Sequence, residues 1–275
     1  MAVAILMMNM HGAVCASDRD MTILRYKDGV PFAVMVDPNS ELPWEDIFDK
    51  FRVRYPDLTE NYVETFKEYL EEELPRYRNL PQKDSLFCIY YGKEKFFPSV
   101  EYQIIQTKGN IVKIEKDEYP SYQISPAQDA YINWLGDLSN MGLITGEMFS
   151  RKEDVDFISQ TYNSLVVAFK SHLRSTSEND IDQDIIENFL NDAKLDEELH
   201  SLVESFQEKQ NKYLNNAITF YHIEDMVKIL EDLVDAENLQ NHLLHPKEPI
   251  SNTKEIATLT LAEGFKWIKH CLYGA

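Results

Sequence analysis

The chain opens on an apolar run, AVAILMMN, in which both alternating sets, Val3/Ile5/Met7 and Ala4/Leu6/Met8, are hydrophobic. Such a strand is expected in the middle of a layered sandwich, covered on each face. MHG and AVCAS follow and read as a tight turn and a second strand, with Gly12 where a left-handed backbone is needed. Lys27-Asp28-Gly29 makes a further turn, and Pro31 to Asp37 (PFAVMVD) a short buried strand ended by Pro38-Asn39-Ser40. Ser40 is expected to cap a helix whose apolar face is Trp44, Ile47, Phe48 and Phe51. A second helix after Thr59 carries Val63, Phe66, Leu70 and Leu74, and stops at Pro75 or within Asn79 to Pro81.

The period then changes. SLFCIYYG, VEYQIIQT and GNIVKIE are β-branched and aromatic runs separated by turn signals, and Ala130 to Gly136 (AYINWLG) predicts one more strand. Ser150 with Glu153 forms a capping box for a long helix buried through Phe157, Ile158, Leu165, Phe169 and Leu173. Beyond the polar run Ser175 to Gln183, helices are predicted over roughly Ile185 to Leu214 and Ile223 to Leu239. EIATLTLAEGFKWIKH closes the chain as two strands joined at Glu263-Gly264. The terminal hairpin must therefore return to a sheet begun at the other end. Two sheets stacked face to face with helices outside both would cover the two-sided strands, and one integrated domain over 1–275 is expected.

Composition narrows the class. The 275 residues are 44% hydrophobic, enough for a large core. Cys15, Cys88 and Cys271 are far apart and set in apolar surroundings, so they read as reduced core thiols. A net charge of −20, from 27 Lys+Arg against 47 Asp+Glu, argues against nucleic acid, whose phosphates need a basic face. No Lys or Arg precedes Arg19, and Asn9 and His11 interrupt the opening run, which makes it a poor secretion signal. It also stops short of the ~20 apolar residues that span a bilayer. A soluble, cytoplasmic protein that starts at its own first strand is the expectation, with no cofactor and no membrane partner.

The opening AVAILMMNMHGAVCASDRD resembles the first hairpin of the proteasome-type N-terminal-nucleophile hydrolases. Those run from a leading threonine through a strand, a Gly turn and a second strand into an Ala-Ala-Asp-x-Arg motif, and Gly12, Ala16, Asp18 and Arg19 match with nearly the same spacing from the chain start. LFCIYYGKEKFFPSVEYQIIQ is similar to the family's middle hairpin, and EIATLTLAEGFKWIKH to its last two strands. The resemblance implies an α+β fold, specifically a four-layer αββα sandwich, with a helical segment at about 150–240 inside it. It also implies a homo-oligomer, because the family packs outer helices of neighbouring subunits into rings.

In that family the first mature residue supplies a hydroxyl or thiol, and its own α-amino group, with a pKa near 8, acts as base. The matching position here is Ala2, which has nothing to attack with. The acidic partner matches as Asp18, which also reads as a strand-ending turn cap. The family's lysine has no match: the alignment puts Val34 near its place, and the nearest lysine, Lys27, lies before the turn. Arg19 and Lys27 are the candidate binding residues. Cys15, and more weakly Ser17, are alternative nucleophiles that cleavage would expose at a new terminus.

Other constellations carry less. His242 and His245 in HLLHP are spaced for one helical face, but a third ligand is missing and Pro246 marks a helix end, so no metal is expected. ENDIDQDIIEN lacks the glycine and closing glutamate of a calcium loop. EYPSY and RYRNLP either line an interface or pack loops. Two function classes remain: a non-catalytic subunit or binding module for a peptide or small amide, and an amide-bond hydrolase using Cys15, Ser17 or a non-standard site.

Overall fold

The structure, a computed structural model, describes residues 2–77, 80–91, 96–108, 111–116, 122–124, 130–136, 216–244, 246–247 and 252–270. The chain divides into a unit made of Met1–Leu138 with Asn215–Ala275, to which all of these belong, and a unit Ser139–Leu214 outside them. The helices expected from the Ser150 capping box and over Ile185 to Leu214 fall in that second stretch, as does ENDIDQDIIEN.

The described residues are mixed α+β, with two antiparallel sheets. In the first, β1 (Val3–Asn9) pairs with β2 (Gly12–Ser17) on one side and with β9 (Ala130–Gly136) on the other. The closing hairpin, β10 (Glu255–Thr260) and β11 (Gly264–His270), joins this sheet through β10 against β2. The chain's last strands thus return to its first. In the second sheet the order is β3 (Ile23–Arg25), β4 (Phe32–Val36), β5 (Lys83–Tyr90), β6 (Ser99–Lys108) and β7 (Ile111–Lys116), with the two-residue β8 (Tyr122–Gln123) beside β6.

Alternation along these strands builds two cores. Ala4, Leu6, Met8 and Cys15 of the first sheet meet Ala33, Met35, Phe87 and Ile89 of the second in one buried cluster. The other faces of β4 and β5, with Val34, Leu86 and Cys88, pack on α1 (Trp44–Arg54) and α2 (Tyr62–Glu73). The outer face of the first sheet receives α3 (Ile223–Leu244), which lies on β1, β2 and β10 and buries Met226, Leu230 and Val234 four residues apart. All seven residues of β1 are buried, as its two-sided apolar pattern requires.

Local chemistry explains most boundaries. Gly12 has φ +152, and a Cβ there would stand 2.8 Å from the Leu259 carbonyl oxygen, so only glycine lets the hairpin turn lie against β10. In α1 the acids Glu45 and Asp46 sit in the first turn and Arg52 and Arg54 in the last, which suits the helix dipole. Pro75 ends α2 by tightening it into a single 3-10 turn, Leu74–Arg76. Ser40 does not cap α1, whose cap position is Pro43. Its hydroxyl oxygen instead accepts the Leu42 amide at 3.2 Å and the Trp44 indole N–H at 2.8 Å, and its O–H donates to Asp84. Among the described residues no helix is long and apolar enough to cross a membrane.

Candidate functional site

The strand pairings define two ends of the first sheet. At one end Val3, Ser17, Glu255 and His270 come together, and at the other Asn9, Gly12, Thr260 and Gly264. Ala2, the position matched to the family's nucleophile, is fully buried at the first end. Asn39 Nδ2 donates to the Ala2 carbonyl oxygen at 3.4 Å, and Gly136, paired with Val3, leaves that oxygen room that a side chain would fill.

Asp18 stands beside it, 3% exposed. Its Oδ1 accepts the Val3 amide at 2.8 Å, and its own N–H donates to the Val3 carbonyl oxygen at 3.2 Å. Ser17 Oγ donates to that same oxygen at 3.0 Å and accepts the Arg19 amide at 3.1 Å. Burial pushes the Asp18 carboxyl upward, opposed by the Val3 amide and by the charge of Arg19. The carboxylate therefore holds the main chain one residue past Ala2 in place. Asp18→Ala is expected to cost about 1–3 kcal/mol, because the buried Val3 N–H loses its acceptor, whereas Asp18→Asn keeps an oxygen there and stays within about 1 kcal/mol. Urea unfolding of the two variants checks this, and an alanine variant as stable as the parent would contradict it.

The other sequence candidates scatter. Arg19 is exposed at the same end as Asp18. Lys27 is exposed in the β3–β4 turn, which lies at the opposite end, since a Cβ on Gly264 would fall 2.5 Å from the Gly29 carbonyl carbon. A strand length of about 17 Å thus separates Lys27 from Asp18. Val34 faces α1 and α2, away from the inter-sheet space. Cys15 lies in the middle of β2 between the sheets, and burial pushes its thiol up to about 12, so it is a protonated core group. Cys88 is likewise free and buried, and Cys271 lies outside the described residues. His242 is in the last turn of α3, and His245 lies outside the described residues. No three His, Cys, Asp or Glu side chains are arranged to hold a metal among the described residues. Tyr77 of RYRNLP donates its O–H to Asp46 and accepts from Lys50, each at 2.9 Å, so it packs its loop on α1.

Three features near Ala2 are not apparent in the sequence. Sharing Asn39, a groove of about 560 Å³ opens between Asp37, Ser40, Glu41, Asp84 and Tyr102. Burial raises the Asp84 carboxyl from 3.8 to about 6, against the pull of the Ser40 hydroxyl and the Ser85 amide. Glu255, fully buried, accepts the amides of Met21, Thr22 and Ile23 at 2.9, 3.1 and 3.0 Å. Met21 has φ 62, the left-handed setting that lets successive N–H groups converge on one anion. Glu255 thereby fixes the connection that leads from Asp18 into the second sheet. The third feature is Gly136, whose φ of +93 admits the close approach to Ala2. The sequence signal for Glu255 is a lone acid opening the strand EIATLT.

The site offers an ordered backbone at Ala2, a desolvated carboxylate and a polar groove, but no hydroxyl or thiol at the matched position. A scan against protein-family models found no match to this chain, and neither did a search of curated proteins.

Proposed function

We propose that this chain is a proteasome-like protein of the N-terminal-nucleophile fold, a four-layer αββα sandwich, that does no hydrolysis and serves as an assembly or binding subunit. The observation that carries this reading is Ala2: the position matched to the nucleophile holds a buried methyl group, and Asp18 beside it binds backbone. Two further observations support it. The first and last hairpins share one sheet that stacks on the other, and Val34, near the family's lysine position, faces the helices. The groove beside Asn39, with carboxylates and hydroxyls on its walls, suits a peptide or small amide through hydrogen bonds. A cytoplasmic homo-oligomer belongs to the same proposal.

The amide-hydrolase reading draws less support. Cleavage before Cys15 would remove β1, which joins β2 to β9, and the thiol is buried between the sheets. Cleavage before Ser17 would take most of β2 as well.

The test is turnover of peptide and simple amide substrates at high protein concentration, with native mass spectrometry of the same sample. No hydrolysis and a discrete oligomer are expected. Turnover that disappears in Asp18→Asn, a variant chosen because it keeps the fold, would overturn the non-catalytic reading. A monomer that also binds no peptide or amide would remove its assembly and binding roles.

A further inference from the structure

The end of the first sheet remote from Ala2 carries an arrangement that the reading above does not use. Asn9 closes β1 there with a fully buried side chain. Its Oδ1 accepts the His11 amide at 2.8 Å, and its Nδ2 donates to the carbonyl oxygens of Ile218 and Tyr221, both at 2.8 Å. One side chain thus clamps the backbone at His11 and, 212 residues further along the chain, the backbone just before His222. His222 is itself held at the start of α3, donating its N–H to Asp225 at 3.3 Å while its carbonyl oxygen accepts the Met226 amide at 3.0 Å.

On this anchored backbone two exposed imidazoles lie side by side, ring centroids 5.1 Å apart with planes inclined by 38°. Two imidazoles on one tetrahedral ion, at about 2.05 Å per metal–nitrogen bond and with ring centres about 1.1 Å behind the nitrogens, have centroids about 5.1 Å apart. The pair opens into a groove of about 640 Å³ whose walls also carry Glu224, Glu263 and Lys266. Glu263 is engaged by Lys266 at 3.2 Å, which leaves Glu224 the readier carboxylate.

We propose that His11 and His222 form a binding site for a divalent transition ion of the zinc type, with water and Glu224, after a side-chain rotation, completing the coordination. Imidazole with carboxylate is a donor set that suits zinc, nickel and copper rather than calcium or magnesium. The positive end of the α3 dipole opposes a cation, but Glu224 and Asp225 in the first turn offset it, and the net charge of −20 draws cations to the surface. The ion would cross-link the β1–β2 turn to the start of α3, which makes it a structural clip at the end of the first sheet remote from Ala2. The proposal is independent of whether the chain is a hydrolase relative.

The experiment is calorimetric titration of zinc into the tag-free protein, repeated with His11→Ala, His222→Ala and the double variant. Both side chains are exposed, so the variants should fold, and circular dichroism without metal checks that they do. One site per chain is expected, weakened about tenfold or more by either single substitution and lost in the double variant. Cobalt in place of zinc should give the visible absorption of a four-coordinate ion in the parent alone. Equal binding by the double variant, or no uptake at about 1 mM zinc, would leave the two rings as an aromatic contact only and overturn the proposal.

Discussion

Glu255→Ala is expected to lower stability by about 4 kcal/mol at pH 5 and by closer to 1 kcal/mol at pH 8. The loss has a direct cause: the amides of Met21, Thr22 and Ile23 converge on this one carboxylate, and removal of the side chain leaves them without an acceptor. Each buried orphan costs about 1–3 kcal/mol, less where water reaches it, as it does at exposed Met21. Gln is a poor replacement because its NH2 group would face donors. Burial opposes the charged form and raises the Glu255 carboxyl from 4.5 to about 7, against the pull of the three amides. Asp20 adds to the rise by charge repulsion, and His270 Nδ1 stands 3.2 Å from Oε1 on the neighbouring strand.

The pH dependence follows from that displacement. A carboxyl whose folded value lies above its unfolded one binds its proton more tightly in the folded chain. Its stabilising contribution is complete below about 4.5 and is lost as pH rises through about 7, a swing of about 3 kcal/mol. Asp84, raised from 3.8 to about 6, and Asp18, raised in the same direction, slope the same way, as does self-repulsion in a chain of net charge −20. The parent should therefore unfold at higher urea concentration at pH 5.5 than at pH 7.5, and Glu255→Ala should flatten most of that slope. An unchanged slope in the variant would show that Glu255 is ionised throughout.

These residues mark the limit of what the sequence discloses. Strand existence was legible wherever side chains alternate in a short window: the two-sided β1, the PFAVMVD strand, the middle strands and the closing hairpin all lie where their patterns place them. Pairing was legible only by argument, from the need of the last hairpin to find a sheet. That β9 would flank β1 on its free side is written nowhere in AYINWLG.

The helix α3 shows how a pattern fails by degrees. Its apolar stripe of Met226, Leu230 and Val234 gives way to buried Glu237, Asn238 and Asn241, so the periodic signal fades before the helix ends at Leu244. Ser40 failed as a cap because Pro43 takes that position and the hydroxyl turns to Asp84 and Trp44. At the candidate site, Ala2 and Asp18 were readable because they lie in one hairpin. Asn9 with Tyr221, and Glu255 with Met21, are joined across 212 and 234 residues. Among the described residues the rings of His11 and His222 meet, and no local spacing in the sequence marks that pair.

Gly136→Ala should be among the most damaging small substitutions in the chain, with an expected loss of about 3–5 kcal/mol. The backbone there has φ +93, which for a residue with a Cβ costs about 1–3 kcal/mol by itself. The added carbon would also stand 2.2 Å from the Ala2 carbonyl oxygen and 3.0 Å from Pro38 Cγ. Neither obstacle is the tip of a flexible side chain. Ala2 is pinned by the bonds that Val3 makes to Asp18 and Ser17, and Pro38 belongs to the turn that follows β4. Relief requires the end of β9 to separate from β1, where Gly136 pairs with Val3. Hydrogen exchange should accordingly accelerate first at the amides of Val3 to Ile5 and later at those of Leu6 to Met8, with the loss in urea unfolding as the global measure. An alanine variant within about 0.5 kcal/mol of the parent would mean that β9 does not hold position 136 tightly against Ala2. The close enclosure of the matched nucleophile position would then have to be given up, and with it one structural support for a non-catalytic subunit.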